Sequence, residues 1–195
     1  MKSEVKEDKA KQTRTLYTNL MIESAYHFCP QCGKPLHTEV HESEEVHVCE
    51  QGHVLYKNQN VTVDGVIIRD GQVLLARRGR DPQIGFLDLP GGFVIANEKP
   101  QDAIVREIRE ELQVEAKVVR LLGVYGPTIY PYKGVTQFNT GVMYLLTIGT
   151  EQPIPTDDVA SLEWYGLSSL PYGKLAFTSQ NDFFEDIRSG KIDLS

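Results

Sequence analysis

With 195 residues, 41% of them hydrophobic, the chain can hold one full domain and a small additional module. Its formal net charge of −7 argues against non-specific binding to nucleic acid or to an anionic membrane, both of which need basic patches. No apolar run approaches the ~20 residues of a membrane-spanning helix, and the opening MKSEVKEDKAKQTRT is too charged for the apolar core of a secretion signal, so a cytoplasmic location is expected.

Residues 1–25 offer few apolar side chains to bury and read as a flexible leading segment, in which Leu16, Tyr17 and Leu20 form at most one short amphipathic turn. Residues 26–57 differ in kind. All 3 cysteines and all 5 histidines of the chain fall between His27 and His53. Cys29, Cys32, Cys49 and His53 follow the spacing C-x2-C-x16-C-x3-H, a set of soft or borderline ligands suited to tetrahedral Zn2+. A segment of ~30 residues cannot bury enough apolar surface to fold alone, and a structural metal would supply the missing stability. His37, His41 and His47 compete for the fourth position but are expected to line a solvated hairpin. A metal-free ribbon is one alternative. A thiol redox role for Cys29 and Cys32 is another, though redox CxxC pairs open a helix after a βαβ strand and nothing of that kind precedes Cys29.

Residues 58–195 carry the main periodic patterns. In VTVDGVIIRDGQVLLARR two apolar runs flank Asp70-Gly71, which predicts a β-hairpin. Arg77, Arg78 and Arg80 end its second strand, either to hold phosphates or as a solvated basic end. Pro90-Gly91-Gly92 follows, and paired glycines let the backbone approach a ligand closely. Pro100 suits a first helical turn. Ile104, Ile108 and Leu112 then recur every four residues as an apolar stripe, which places Glu107, Glu110 and Glu111 in one adjoining sector. Glu98 lies just ahead of the helix, within reach of the same face, and Arg106 can pair with Glu110 at i, i+4. Carboxylates so close repel one another, and divalent cations that take hard oxygen ligands, Mg2+ or Mn2+, relieve the repulsion while also binding phosphate.

Beyond the helix, EAKVVRLLGVYG reads as a strand and YGPTIYPYKG as a loop. Tyr125, Tyr130 and Tyr132 on that loop either stack on a nucleobase or pack against a neighbouring domain or the second subunit of a homodimer. QFNTGVMYLLTIG reads as a buried strand and SLEWYGLSSL as another, with Trp164 and Leu167 in the core. SQNDFFEDIRSG reads as a final helix that turns Phe183, Phe184 and Ile187 inwards and stops at Gly190. The fold class is therefore α/β, with helices covering a mixed sheet.

The stretch GFVIANEKPQDAIVREIREELQV resembles the box of the Nudix hydrolases. Gly92, Glu98, Arg106, Glu107, Glu110 and Glu111 all stand at the expected offsets, and the one departure is Gln113, where the family has glycine. LARRGRDPQIGFLDLPGGF is similar to the family's approach to the box, except that Leu87 stands where an aromatic residue is common. The resemblance spans about residues 58–190 and implies an α/β/α sandwich. It also implies Mg2+ (or Mn2+)-dependent hydrolysis of a nucleoside diphosphate linked to a second group. In that reading Glu107 and Glu111 are the main metal ligands, Glu110, Glu98 and the Gly91 carbonyl complete the shell, Arg106 orients a glutamate, and a glutamate takes the proton from water. The altered turn expected at Gln113 leaves those ligands in place.

The cysteine segment resembles the small zinc ribbon that precedes the Nudix domain in NADH-pyrophosphatase-like proteins, with Gly52 where the fourth cysteine would stand and His53 next to it. The arrangement implies a small nucleotide substrate such as ADP-ribose or a related dinucleotide. GPTIYPYKGVTQFN replaces the signature of the NADH-cleaving group, which argues against NADH. A non-catalytic nucleotide-sensing regulator, with the ribbon as its partner-binding module, is the alternative, and the presence of all four box glutamates counts against it. An RNA-directed enzyme is disfavoured by the net charge and by Glu42, Glu44, Glu45 and Glu50 in the ribbon.

Overall fold

A computed structural model describes residues 26–194; the amphipathic turn expected around Leu16, Tyr17 and Leu20 lies outside them. The chain divides into two compact units between Lys57 and Asn58. In the first, strands β1 (Leu36–His41), β2 (Glu44–Cys49) and β3 (Val54–Leu55) form an antiparallel sheet in that order. Val46, His47, Val48 and Cys49 are all buried, so His47 is not the solvated hairpin residue that its sequence context suggests. His37 and His41 do stay on the surface side, where both reach Glu39, at 2.8 and 3.1 Å.

The second unit is built on a seven-stranded mixed sheet. Its strands are β4 (Asn60–Arg69), β5 (Gln72–Arg78), β6 (Leu87–Asp88), β7 (Gly91–Phe93), β8 (Ala116–Tyr132), β9 (Val135–Ile148) and β10 (Val159–Gly166). The main order is β10-β5-β4-β9-β8, with β6 on β5 and β7 on β4. The β4–β9 pairing is parallel and its neighbours are antiparallel. The predicted hairpin forms at Asp70-Gly71, both at positive φ, as a tight two-residue turn demands. Among the described residues there are two α-helices, α1 (Pro100–Leu112) and α2 (Thr178–Arg188).

Alternation along β4 explains the layering, because successive side chains point to opposite faces. Val63 and Ile67 pack with Ile104, Ile108 and Leu112 of α1, while Val66 packs with Met143, Phe183 and Phe184 on the α2 side. Each fully buried aliphatic side chain of the α1 stripe contributes about 1.5–3 kcal/mol. The result is an α/β/α sandwich. No described helix is long and apolar enough to cross a membrane.

Two expectations change. YGPTIYPYKG is not a loop: it is the second half of β8, paired with β9 up to the turn at Lys133 and Gly134. Gly126, Pro127 and Pro131 disguise the strand in sequence. They are tolerated because β8 is an edge strand and its register slips at irregularities, including one between Tyr125 and Thr128. Trp164 and Leu167 are half-buried rather than central. Strand β10 is the opposite edge, and there the Arg69 guanidinium lies 5.3 Å from the centroid of the Trp164 ring.

Candidate active site

Strand β4 pairs with β5 only at Ile68 and Arg69. Its first half takes β7 instead, with Thr62, Val63 and Asp64 opposite Phe93, Gly92 and Gly91. The sheet therefore opens at Pro90–Phe93, and the Gly65 N–H donating to the Pro90 carbonyl at 2.8 Å holds the turn there. The backbone at Gly91 admits only glycine, and Gly92 lies tight against a side chain. Gly91 has φ 149°, and a Cβ on it would lie 2.1 Å from the Val63 carbonyl oxygen. A Cβ on Gly92 would lie 2.6 Å from the Glu107 carboxyl.

Arg106 organises the glutamates. Its Nε and Nη2 donate to the two oxygens of Glu98, each at 2.9 Å. Nη1 donates to Glu107 at 2.7 Å and to Glu110 at 3.0 Å, and Nη2 also reaches the Phe93 carbonyl at 3.0 Å. One guanidinium thus ties the helix to the preceding loop and to β7, a geometry that a lysine's point charge cannot reproduce. These hydrogen bonds hold Glu98 below the usual carboxylate range. Burial pushes Glu107 up against the pull of Arg106. Glu111, 6% exposed, accepts from the Gly91 N–H at 2.9 Å. Burial first, and then the charge of Asp158, raise its carboxyl well above the ordinary value. Desolvated carboxylates crowded together in this way fit a divalent cation bound by oxygen ligands.

The C-terminus of α1 explains why Asp158 is nearby. The Leu112 and Glu111 carbonyls accept from the Ile154 and Thr156 N–H groups, each at 2.9 Å, so the segment before β10 caps the helix and delivers Asp158 to the site. The turn after the helix keeps a left-handed residue even without glycine. Gln113 sits at φ 54°, ψ 33° and its N–H donates to the Arg109 carbonyl at 3.1 Å. The departure from glycine is accommodated as local strain.

The three arginines are already paired. Arg77 turns to Glu163 and to the Gly85 carbonyl. Arg78, largely buried, bonds Asp88 at 2.5 Å and the Pro82 carbonyl at 2.7 Å and lies 5.1 Å from the centroid of Phe177. Arg80 bonds Asp158 at 2.6 Å. Arg78 and Arg80 line the cleft beside Gly91 and Gly92, a space of about 80 Å3 that opens to solvent. Tyr130 lines it as well, edge-on to Phe93 with ring centroids 5.7 Å apart. Tyr125 instead donates to Asp186 of α2 at 2.8 Å, and Tyr132 neighbours Tyr130. Leu87 is a core residue with no exposure.

A second set of residues escaped the sequence reading. Gln180 of α2 is 1% exposed and its amide donates to Asp64 at 3.1 Å and also to Asp88. Burial, followed by the charge of Asp88, pushes the Asp64 carboxyl up to about 7. Burial raises Asp88 too, although Arg78 pulls it down. The signal was present in VDGV and LDLP, where a lone acid interrupts an apolar strand, a pattern that demands a buried partner.

In the first unit, ligand atoms of Cys29, Cys32, Cys49 and His53 lie within 4.8 Å of one another. Cys32 Sγ and Cys49 Sγ are 3.7 Å apart, and Cys29 Sγ and His53 Nδ1 3.5 Å. Tetrahedral coordination with ~2.3 Å metal–sulfur bonds implies sulfur–sulfur edges of about 3.8 Å, so the four groups suit a tetrahedral metal and the unit is compatible with a zinc ribbon. His37, His41 and His47 are outside this cluster.

An α/β/α sandwich opened at a Gly-Gly turn, with an arginine-bound set of glutamates beside it, defines a hydrolase of the kind that works on phosphate anhydrides with a divalent metal. The chain belongs to the Nudix family: the NUDIX domain model matches residues 58–186. It is a Nudix hydrolase. An ADP-ribose pyrophosphatase of Methanocaldococcus jannaschii is 37% identical over 123 residues, 63% of this chain and 70% of that one. The NAD-capped RNA hydrolase NudC of Pseudomonas entomophila is 26% identical over 146 residues, 75% of this chain, which spans only 50% of that relative. A NUDIX hydrolase of Nitrosomonas europaea shares the fold with a TM-score of 0.68 at 22% identity, over 85% of this chain and 94% of that one.

Proposed function

We propose that this chain hydrolyses the pyrophosphate bond of a nucleoside diphosphate linked to a second group, with Mg2+ or Mn2+, and that ADP-ribose or a related dinucleotide is the substrate class. The observation that carries this reading is the Arg106-bound glutamate set, whose Glu107 carboxyl packs against the Gly91-Gly92 turn that lines the open cleft. The pyrophosphatase named among the relatives adds support for the substrate class. Replacement of the NADH-type signature by the β8–β9 hairpin disfavours NADH. The acidic net charge favours a small nucleotide over nucleic acid as partner.

In this reading Glu107 and Glu111 hold the metal, with Glu110, Glu98 and the Gly91 carbonyl completing its shell. The cation supplies Lewis-acid polarisation of the phosphate and a more acidic water. Arg106 fixes the positions of Glu98, Glu107 and Glu110. Glu110 is exposed and held through one oxygen, so its other oxygen is left either to join that shell or to take a proton from the attacking water. The Gly91 N–H orients Glu111. Residues 26–57 act as a zinc ribbon with Zn2+ in a structural role, residues 58–195 as the hydrolase domain, and residues 1–25 as a leading segment.

The test is product release from ADP-ribose, NAD+, NADH, dinucleoside polyphosphates and nucleotide sugars with Mg2+ and Mn2+. Glu111→Gln is the control. Glutamine keeps an acceptor for the Gly91 N–H and removes a desolvated charge, so the variant folds, and its rate should fall at least ~10²-fold. Absence of release across the panel from folded, zinc-loaded protein would overturn the reading.

A further inference from the structure

We propose that Thr128 and Asn139 form a recognition edge for a flat heterocycle carrying a hydrogen-bond donor and acceptor side by side, the ring of the nucleotide whose diphosphate reaches the box glutamates. The inference rests on the cleft being the substrate site. It goes further by naming the residues that select the substrate.

Pairing puts these groups on one face. Thr128 of β8 is opposite Asn139 of β9, and Gly141, two residues further along β9, is opposite Thr62 of β4. Side chains two apart share a face, so Tyr130 stands beside Thr128. Thr62, Thr128, Tyr130 and Asn139 all line the cleft that contains Gly91 and Gly92.

Thr128 is 7% exposed and its Oγ1 has no hydrogen-bond partner among the described residues. A buried hydroxyl without a partner opposes folding. It is explained if a ligand supplies the partner, since Thr128 is a lining residue of the cleft. Asn139 is 4% exposed, and its Oδ1 accepts from Asn60 Nδ2 at 3.2 Å, which leaves its amide N–H groups for a ligand. A hydroxyl that both donates and accepts, facing an amide donor, matches the edge of a ring that bears both kinds of group. The neighbouring walls are aromatic. Tyr130 lies 5.8 Å from Phe177 and 5.7 Å from Phe93, centroid to centroid. Such faces hold flat rings of any identity, so the polar edge decides which ring is taken.

A purine nucleobase and a pyridine carboxamide share this chemistry, and AMP and nicotinamide mononucleotide separate them. Binding of each to the full, zinc-loaded chain is measured by calorimetry, for wild type, Thr128→Val and Thr128→Ser, together with the ligand-free thermal midpoints. One mononucleotide should bind wild type. Thr128→Val should weaken it about fivefold to tenfold, the worth of one hydrogen bond, and Thr128→Ser should restore it. The ligand-free midpoint of Thr128→Val should stay the same or rise, because valine has the same shape and no stranded hydroxyl. A lowered midpoint with unchanged binding would assign Thr128 to the fold and overturn the proposal. Equal affinity of wild type and Thr128→Val, or no binding of either mononucleotide to wild type, would also overturn it. Thr128-dependent binding without hydrolysis of any substrate would preserve the recognition edge and remove the hydrolase reading, so the two fail separately.

Discussion

Gln113 offers a direct measurement of what the missing box glycine costs. At φ 54° it places a Cβ in the left-handed region, at about 1–2 kcal/mol for a residue other than glycine. The side chain is exposed, and the only bond the turn needs from this residue is its N–H to the Arg109 carbonyl, which glycine keeps. Gln113→Gly therefore removes the strain. Against this stands the extra freedom of glycine in the unfolded chain, about 0.4–1 kcal/mol. The net expectation is stabilisation by about 0.5–1 kcal/mol, a rise of roughly 1–4 °C in the thermal midpoint for a chain of this size. Gln113→Ala retains the Cβ and should move the midpoint little. Activity should persist in both, because every box glutamate lies before the cap. Thermal unfolding of the three proteins, at one protein and zinc concentration, is the assay. A lower midpoint for Gln113→Gly, or an equal gain for Gln113→Ala, would refute the assignment of strain to this backbone angle.

Asp64 should make stability fall with rising pH in the absence of Mg2+. Its carboxyl moves from 3.8 to about 7 on folding, so across that window the folded chain holds a proton that the unfolded chain has released. The shift corresponds to about 4 kcal/mol at most, an upper figure because the side chain keeps some exposure on the cleft. Asp64→Asn should flatten the slope between about pH 4 and pH 7 in thermal melts, and an unchanged slope would assign it to other groups. Gly92→Ala would drive a methyl into the Glu107 carboxyl, so the Mg2+ concentration for half-maximal activity should rise at least ~10-fold; an unaltered Mg2+ titration would remove Glu107 from the metal shell. Cys49→Ser should reduce bound zinc, measured by emission spectrometry, from about one per chain to well below that and expose residues 26–57 to protease. Zinc-free wild type with an equally resistant ribbon would show that the cluster needs no metal.

Much of the site could be read along the chain because its members are close in sequence. The Glu98-to-Glu111 offsets, the apolar stripe of Ile104, Ile108 and Leu112, and the C-x2-C and C-x3-H pairs all report on geometry within a few turns, where spacing determines which side chains share a face. The hairpin at Asp70-Gly71 and the inward Phe183 and Phe184 follow from the same local rules. The second half of β8 failed this test: glycine and prolines broke the strand pattern, and only a place at the sheet edge with a slipped register made it a strand.

What the sequence determined by itself was the periodicity of the elements, the carboxylate set on α1 and the spacing of the cysteine and histidine pairs. The tertiary structure decided how those groups are used. Gln180 meets Asp64 and Asp88 across 116 and 92 residues, Arg78 and Arg80 are committed to Asp88 and Asp158, and Thr128, a lining residue of the cleft, is left with a buried hydroxyl that has no partner among the described residues. Near-neighbour spacing sets which face a side chain occupies. Desolvation and charge pairing depend on which distant element arrives opposite it, and that is settled only when the sheet is assembled.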